Sequence, residues 1–241
     1  VTANQFFVPA LPEGATRIVL EGEEHRHLAR AARIRRGEEI WLFDGSGRRV
    51  LARVGRIEAD RTEVAVLREE PPETPRTRIV LAQALMEAKK LEAVIEKAAE
   101  LGCADFVPVL SARSLRPRGE RADRKLERWA RIVREAAKQC KSRLLTAVHP
   151  PRPLAELLRG PGTERCLALS EHGGRPLREI LMDPAPPSVL LLVGPKGGWT
   201  KGEETAIRAA GVEAVSLGPR ILRAETAAVA GAAMIAHFWN E

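Results

Sequence analysis

Three short glycine-bearing segments hold the residues whose types and spacing suit ligand chemistry. They are Ser170-Glu171-His172-Gly173-Gly174, Gly194-Pro195-Lys196-Gly197-Gly198-Trp199-Thr200 and Leu217-Gly218-Pro219-Arg220-Ile221-Leu222-Arg223. Each follows an apolar run, and glycine there lets a ligand approach the backbone and reach its N–H and C=O groups. Glycine and proline also make tight turns with no function. Three such turns at one edge of a sheet favour a ligand. No Gly-Lys-Ser/Thr follows the glycines, and the dinucleotide fingerprint G-x-G-x-x-G is missing, so the turns do not read as phosphate cradles. No Ser-His-Asp or Cys-His nucleophile constellation stands out. An adenine-containing ligand, held by main-chain groups and the apolar walls Leu192, Leu217, Ile221 and Leu222, stays open. Cys103, Cys140 and Cys166 are odd in number and scattered, which fits reduced thiols better than disulfides or a zinc site. His25 and His27 are two apart, a spacing that points them to different sides of a helix, so no metal is expected.

The elements that must position these turns fall into two groups. Before residue 70 the pattern is β-rich with one helix. Strands are expected at Thr16–Leu20, Glu39–Phe43 and Glu63–Leu67, with alternation at Val50, Ala52 and Val54. A helix is expected from Glu23 to Ile34, and a hairpin turn at Asp44-Gly45-Ser46-Gly47. Closely spaced short strands suggest a small barrel. Glu69-Glu70-Pro71-Pro72-Glu73-Thr74-Pro75 breaks both periodicities and is the best linker, giving domains over 1–70 and 76–241. Beyond it strands and helices alternate. Strands are expected at Arg78–Leu85, Phe106–Leu110, Leu144–Val148, Cys166–Ser170, Ser188–Val193 and Ala214–Leu217. Helices are expected over Glu87–Leu101, Ala122–Cys140, Leu154–Leu158, Gly202–Ala210 and Glu225–Trp239. The continuous apolar run SVLLLV at 188–193 suits the centre of a parallel sheet. Repeated βα units mean an α/β domain with a mostly parallel sheet, whose ligands bind outside the carboxyl ends of the strands.

The 241 residues carry a formal net charge of +7 and a pI near 9.8, which favours a polyanionic partner through counterion release. Arg30, Arg33, Arg35 and Arg36 lie on and after the first helix. Arg113, Arg116, Arg118 and Arg121 fill a loop, followed by Arg124, Lys125 and Arg128, with Arg143 and Arg220 as further RNA contacts. A charge run is also the ordinary composition of a solvated face. Aromatic residues make up 4% of the chain and tyrosine is absent, so recognition would rest on phosphates, shape and arginine planes. No apolar run reaches the length of a membrane span, and the first residues lack the basic and apolar regions of a signal peptide. A soluble, cytoplasmic protein is expected.

Val193-Gly194-Pro195-Lys196-Gly197-Gly198, followed by Ser216-Leu217-Gly218-Pro219-Arg220-Ile221-Leu222-Arg223-Ala224-Glu225-Thr226-Ala227, closely resembles the bacterial 16S ribosomal RNA uracil-N3 methyltransferases of the SPOUT class. Lys90 with Glu100-Leu101-Gly102 looks like the family's first catalytic-domain helix. Arg113-Ser114 and the stretch from Arg128-Trp129 to Gln139 look like its middle section. His27 with Arg30 and Arg33, then Phe43-Asp44-Gly45, is similar to its PUA-like N-terminal domain. The family usually has Glu where Lys196 stands and Glu where Ala112 stands, and a Val-Leu pair where Ala31-Ala32 precedes Arg33.

The resemblance implies a trefoil-knotted, mostly parallel catalytic sheet behind a PUA-like β-barrel, an exception to unthreaded chains. It implies a homodimer and S-adenosylmethionine between the three turns. Leu169, Ser170 and Glu171 would hold the cofactor from the first turn. Leu192, Val193, Gly194, Pro195, Gly197 and Gly198 would do so from the second, and Leu217, Gly218, Ile221, Leu222 and Thr226 from the third. Arg223 is the expected catalytic cation, with Glu225 to orient it or accept a proton. The substrate would be N3 of a uridine in 16S rRNA, as naked RNA or in the small ribosomal subunit. Competing readings are a related methyltransferase acting on another base or a ribose 2′-hydroxyl, and a non-catalytic RNA-binding assembly factor.

Overall fold

The computed structural model describes residues 4–115, 122–160 and 162–240. The chain forms two compact units, one of residues 1–74 with 137–145 and one of residues 75–136 with 146–241.

The first unit is built on β1 (Gln5–Phe7), β2 (Arg17–Glu21), β3 (Glu39–Phe43), β4 (Arg49–Ile57) and β5 (Arg61–Glu70). They form one sheet in the order β1-β3-β4-β5-β2, antiparallel except for the parallel β1–β3 pair. The sheet is a curled PUA-like half-barrel, with β1 and β2 left as edges. Register shifts in the β4–β5 pair, at Leu51/Ala52 and Val54/Ile57, mark where the ladder bends. Val50, Ala52 and Val54 alternate inward and join Phe6, Leu20, Leu28, Ile40 and Leu42 in the core.

The expected helix from Glu23 to Ile34 is shorter and differently wound. An α-helical turn, α1 (Gly22–Arg26), runs into a π-helical turn at His27–Ala31. There the Ala32 amide bonds to the His27 carbonyl at 2.8 Å, and Arg33 then takes a left-handed φ of 52°. The Ile34 amide returns to the Leu28 carbonyl at 3.1 Å. Leu28 and Ile34 are both core residues, so the wide turn and reversal let the chain bury both, and a longer helix is not needed. His25 is buried and spent on structure, with Nδ1 2.9 Å from the Thr62 hydroxyl and Nε2 3.3 Å from the Ala59 carbonyl.

The second unit opens with β6 (Arg78–Ala84), α2 (Ala88–Glu100) and β7 (Asp105–Leu110). Next come α3 (Ala122–Cys140), β8 (Ala147–Val148), β9 (Arg152–Pro153) and α4 (Leu154–Arg159). The last part holds β10 (Arg165–Leu169), β11 (Arg175–Pro176), α5 (Leu177–Ile180), β12 (Ser188–Val193), α6 (Lys201–Ala209), β13 (Glu213–Ser216) and α7 (Ala224–Asn240). Among the described residues its eight strands are all parallel, in the order β11-β13-β10-β12-β6-β7-β8, with β9 also paired to β7. The expected strand Leu144–Val148 is confined to Ala147–Val148, because Leu144 bridges Gly45 and Ser46 of the first unit instead.

β6 alternates between two cores. Val80 and Ala82 face Leu154 and Leu157 of α4 and Ile207 of α6, while α2 and α7 pack against one another, with α7 also on β6 and β12. Helices thus cover both faces, which explains why SVLLLV has no polar alternation. The glycine in α7 has a packing reason. A Cβ on Gly231 would meet Leu191 Cδ2 at 3.0 Å and Leu169 Cδ1 at 3.3 Å, so its absence lets the helix lie close to β10 and β12.

Candidate functional site

β13, β10 and β12 are neighbours, and all three point the same way. The three glycine turns follow their carboxyl ends, on the side of the sheet where the chain has doubled back to place β12 beside β6 and β10 beyond it. Such a switch point is where open α/β sheets bind ligands.

The first turn is tied to the strand beside it and lies against the second. The Ser170 amide bonds to the Val215 carbonyl at 2.9 Å, joining the first turn to β13. Gly174, at φ +129°, passes so close to that strand that a Cβ would stand 2.6 Å from the Ala214 carbonyl oxygen. A Cβ on Gly198 would lie 3.1 Å from Glu171 Oε1, which sets the first turn's carboxylate against the second turn. Inside the second turn the Gly198 amide closes onto the Pro195 carbonyl at 2.9 Å, and the Trp199 ring lies over Gly194. In the third, the Gly218 amide bonds to the Ser216 hydroxyl at 3.1 Å. Gly218 has φ +117° and open space where a side chain would stand.

Two side chains that sequence reasoning assigned no such part hold the second turn. Gln83, fully buried at the end of β6, aims Nε2 at the carbonyls of Gly194, at 3.3 Å, and Val193, at 3.5 Å. A polar residue inside an apolar strand was the signal available. Glu203 closes a capping box at the start of α6, taking the Thr200 amide and hydroxyl, each at 2.9 Å. Burial works against its charge, but the amides of Thr200 and Ala112 and the Thr200 hydroxyl hold its carboxyl below the usual range.

Among the expected cofactor residues, Leu192, Val193 and Pro195 are buried, Leu169, Ser170, Gly194, Gly198, Leu217 and Leu222 are half-buried, and Glu171, Gly197, Gly218 and Thr226 are exposed. Ile221 is 75% exposed, a large apolar side chain at the lip of the rim. Arg223 is exposed and makes no ion pair among the described residues. Glu225 begins α7 and pairs with Lys90 Nζ at 3.0 Å. Its own backbone amide, then Lys90 and Arg223, hold its carboxyl below the ordinary range against the effect of burial. The same contacts lower its affinity for a proton.

The expected RNA contacts differ from one another. Arg30 and Arg33 are exposed and have no carboxylate partner among the described residues, and Arg220 is exposed as well. Arg143 is bound by the Glu70 carboxylate and the Pro71 carbonyl. Arg113 turns to the second glycine turn, and its Nη1 donates to the Gly197 carbonyl at 2.6 Å. Arg116, Arg118 and Arg121 lie outside the described residues. No group of three or more candidate metal ligands occurs among the described residues, and no helix there is long and apolar enough to cross a membrane.

The parallel α/β unit and the curled β unit each correspond to a domain of RNA methyltransferases. Residues 72–236 match an RNA methyltransferase domain and residues 20–67 match an RNA methyltransferase PUA domain. The ribosomal RNA small subunit methyltransferase E of Mycobacterium bovis is 33% identical over 95% of this chain and 89% of its own. The protein of that name from Synechocystis is 32% identical over 90% and 72%. In structure the chain is similar to the ribosomal RNA small subunit methyltransferase E of Neisseria gonorrhoeae bound to S-adenosyl methionine. That comparison has a TM-score of 0.90 and 32% identity, and covers 99% of this chain and 98% of that one. A Legionella pneumophila methyltransferase in complex with bound cofactor SAM gives 0.87 and 27%, covering 98% and 97%. This chain belongs to the ribosomal RNA small subunit methyltransferase E family.

Proposed function

We propose that this protein transfers the methyl group of S-adenosylmethionine to N3 of a specific uridine in 16S rRNA. The observation that carries this reading is the convergence of three glycine turns at the carboxyl ends of β13, β10 and β12 in a chain of this family. The residues present suit the cofactor. Gly218 leaves room at the third turn, Leu217 and Leu222 offer half-buried apolar surface, and the Glu171 carboxylate beside Gly198 suits a cationic ligand without phosphate. When bound, S-adenosylmethionine supplies a methyl group already activated on a sulfonium, so no enzyme nucleophile is required.

The remaining work falls to the chain's own residues. They must align the base with the methyl group, a contribution of up to roughly 7–11 kcal/mol in ideal cases, and favour loss of the N3 proton. Arg223, exposed and without a partner carboxylate, is free to place its charge beside the uracil oxygens and stabilise the anion. Glu225, whose proton affinity is lowered by its own amide and Lys90, is too weak a base for this proton and serves to fix the start of α7. Solvent takes the proton.

RNA would be held by Arg30, Arg33 and Arg220, and by Arg116 where the chain continues beyond Leu115. The sequence-based domain limits, 1–70 for RNA binding and 76–241 for catalysis, belong to this reading, as do the trefoil threading and action in the cytoplasm. A homodimer accords with α7. Its inner face buries Ala228, Gly231, Ala232 and Ile235, yet Ala230 and Ala233 on the other side and the half-exposed Phe238 are also apolar.

The test is to incubate the protein with unmodified 30S particles, separately with naked 16S rRNA, and labelled cofactor, then identify the product nucleoside by mass spectrometry. N3-methyluridine is expected, and a ribose-methylated product would overturn the assignment.

A further inference from the structure

The second glycine turn is gripped from outside by the turn that follows β7. Arg113 Nη1 donates to the Gly197 carbonyl at 2.6 Å and to the Trp199 carbonyl at 3.3 Å. Its aliphatic stem lies along the same loop, since a Cβ on Gly197 would meet Arg113 Cδ at 3.4 Å. One residue earlier, the Ala112 amide donates to Glu203 Oε1 at 2.8 Å. The other oxygen of Glu203 caps α6 at Thr200, so one carboxylate joins the gripping turn, the end of the glycine loop and the helix behind it. The gripping turn is itself anchored. The Ser111 amide bonds to the Ser114 hydroxyl at 3.0 Å, and the Leu115 amide bonds to the Leu85 carbonyl at 3.1 Å.

We infer that Arg113 is a positioning residue that sets the Gly197–Trp199 segment for cofactor binding, and not a contact to RNA phosphate. The inference rests on the proposed role of that loop. A guanidinium carries donors in a rigid fork, and here one arm spans two carbonyls that no other described side chain satisfies. Turning those carbonyls outward fixes the peptide planes of the glycine loop, so less ordering remains when a ligand arrives. Committing Nη1 to these carbonyls holds the guanidinium against the glycine loop. It acts through the main chain of the loop.

The experiment measures two affinities on wild type, Arg113→Ala and Arg113→Lys. Calorimetry gives the Kd for S-adenosylmethionine, and anisotropy with a 16S rRNA transcript across a salt series gives the RNA Kd and its salt slope. Arg113→Ala should weaken cofactor binding about five- to tenfold, the scale of a lost charge-assisted bond at an exposed site, and leave RNA affinity within about twofold. Arg113→Lys keeps the charge but not the fork, so it should weaken cofactor binding and leave RNA binding intact. Unchanged cofactor affinity in both variants would overturn the inference, and so would a salt slope reduced in Arg113→Ala and restored by lysine. Wild-type protein that fails to bind the cofactor would overturn the proposed function as well, which separates the two failures.

Discussion

In the β-rich unit, arginines on and beside β4 and β5 and arginines of the helical turn stand in opposite states. Arg48, Arg53 and Arg61 each face a carboxylate at 2.7–2.9 Å, and Arg49 and Arg68 share Glu70 while lying over the Trp41 ring. Arg26, Arg30, Arg33, Arg35 and Arg36 are exposed, and none of their guanidinium groups pairs with a carboxylate among the described residues. The same residue type is thus neutralised along one surface and left bare along another. Net charge gives the protein its attraction to a polyanion, but pairing decides where that attraction acts. The left-handed Arg33 at the end of a π turn sharpens the contrast, since unusual backbone gathers where function holds it. The α/β unit repeats the division, with Arg113 engaged on carbonyls and Arg223 exposed at the rim.

Replacing a free arginine should cost function, and replacing an engaged one should cost structure. The largest effect is expected for Arg223→Ala, with turnover at least about 100-fold lower and cofactor affinity within about twofold in single-turnover and calorimetric assays. Loss of cofactor binding instead would place Arg223 with the engaged set. Next, Arg30→Ala with Arg33→Ala should weaken RNA binding about tenfold and reduce the salt slope by about 0.7–0.9 for each phosphate no longer neutralised. Arg53→Ala, whose partner is Glu39, should do neither. Equal losses from both variants would erase the distinction.

Glu70 anchors Arg49, Arg68 and Arg143, and Glu70→Ala should lower stability by about 1–2 kcal/mol in urea unfolding. Because the Arg49 hydrogen bond holds the Glu70 carboxyl below its usual range, this contribution is present above the unfolded-state pKa. It is lost as the pH falls through the lower folded-state value. Glu225 has the same sign of shift, so the pH–rate profile should show no limb near neutrality that Glu225→Gln removes. The smallest effect concerns Cys103, whose thiol burial pushes up to about 12. It should resist alkylation at pH 8 in native protein and react once unfolded, as followed by mass spectrometry.

Much of the fold is legible in the chain because its signals are local. Helix α3 ends where Ala122–Cys140 says it should, and β12 spans the apolar run Ser188–Val193. A period of 3.6 or an unbroken apolar stretch needs no distant partner to be read. The three-residue strand β1 was missed, since Gln5–Phe7 is too short to alternate and exists only because β3 accepts it in parallel. The π turn was missed because it depends on where Leu28 and Ile34 must be buried, which is a property of the sheet they pack on.

The site divides in the same way. The sequence by itself determined the glycine turns, since positive φ at Gly174, Gly198 and Gly218 is a demand that residue type reveals. It also determined the basic charge and the family motif. Only the tertiary structure decided that β13, β10 and β12 lie side by side, that Gln83 and Arg113 hold the second turn, and that Arg143 binds Glu70 and the Pro71 carbonyl. Strand order and the partner of a long charged side chain are choices between residues far apart in sequence. They are settled by packing and by which acceptor lies within about 3 Å, and neither quantity is written in any one segment.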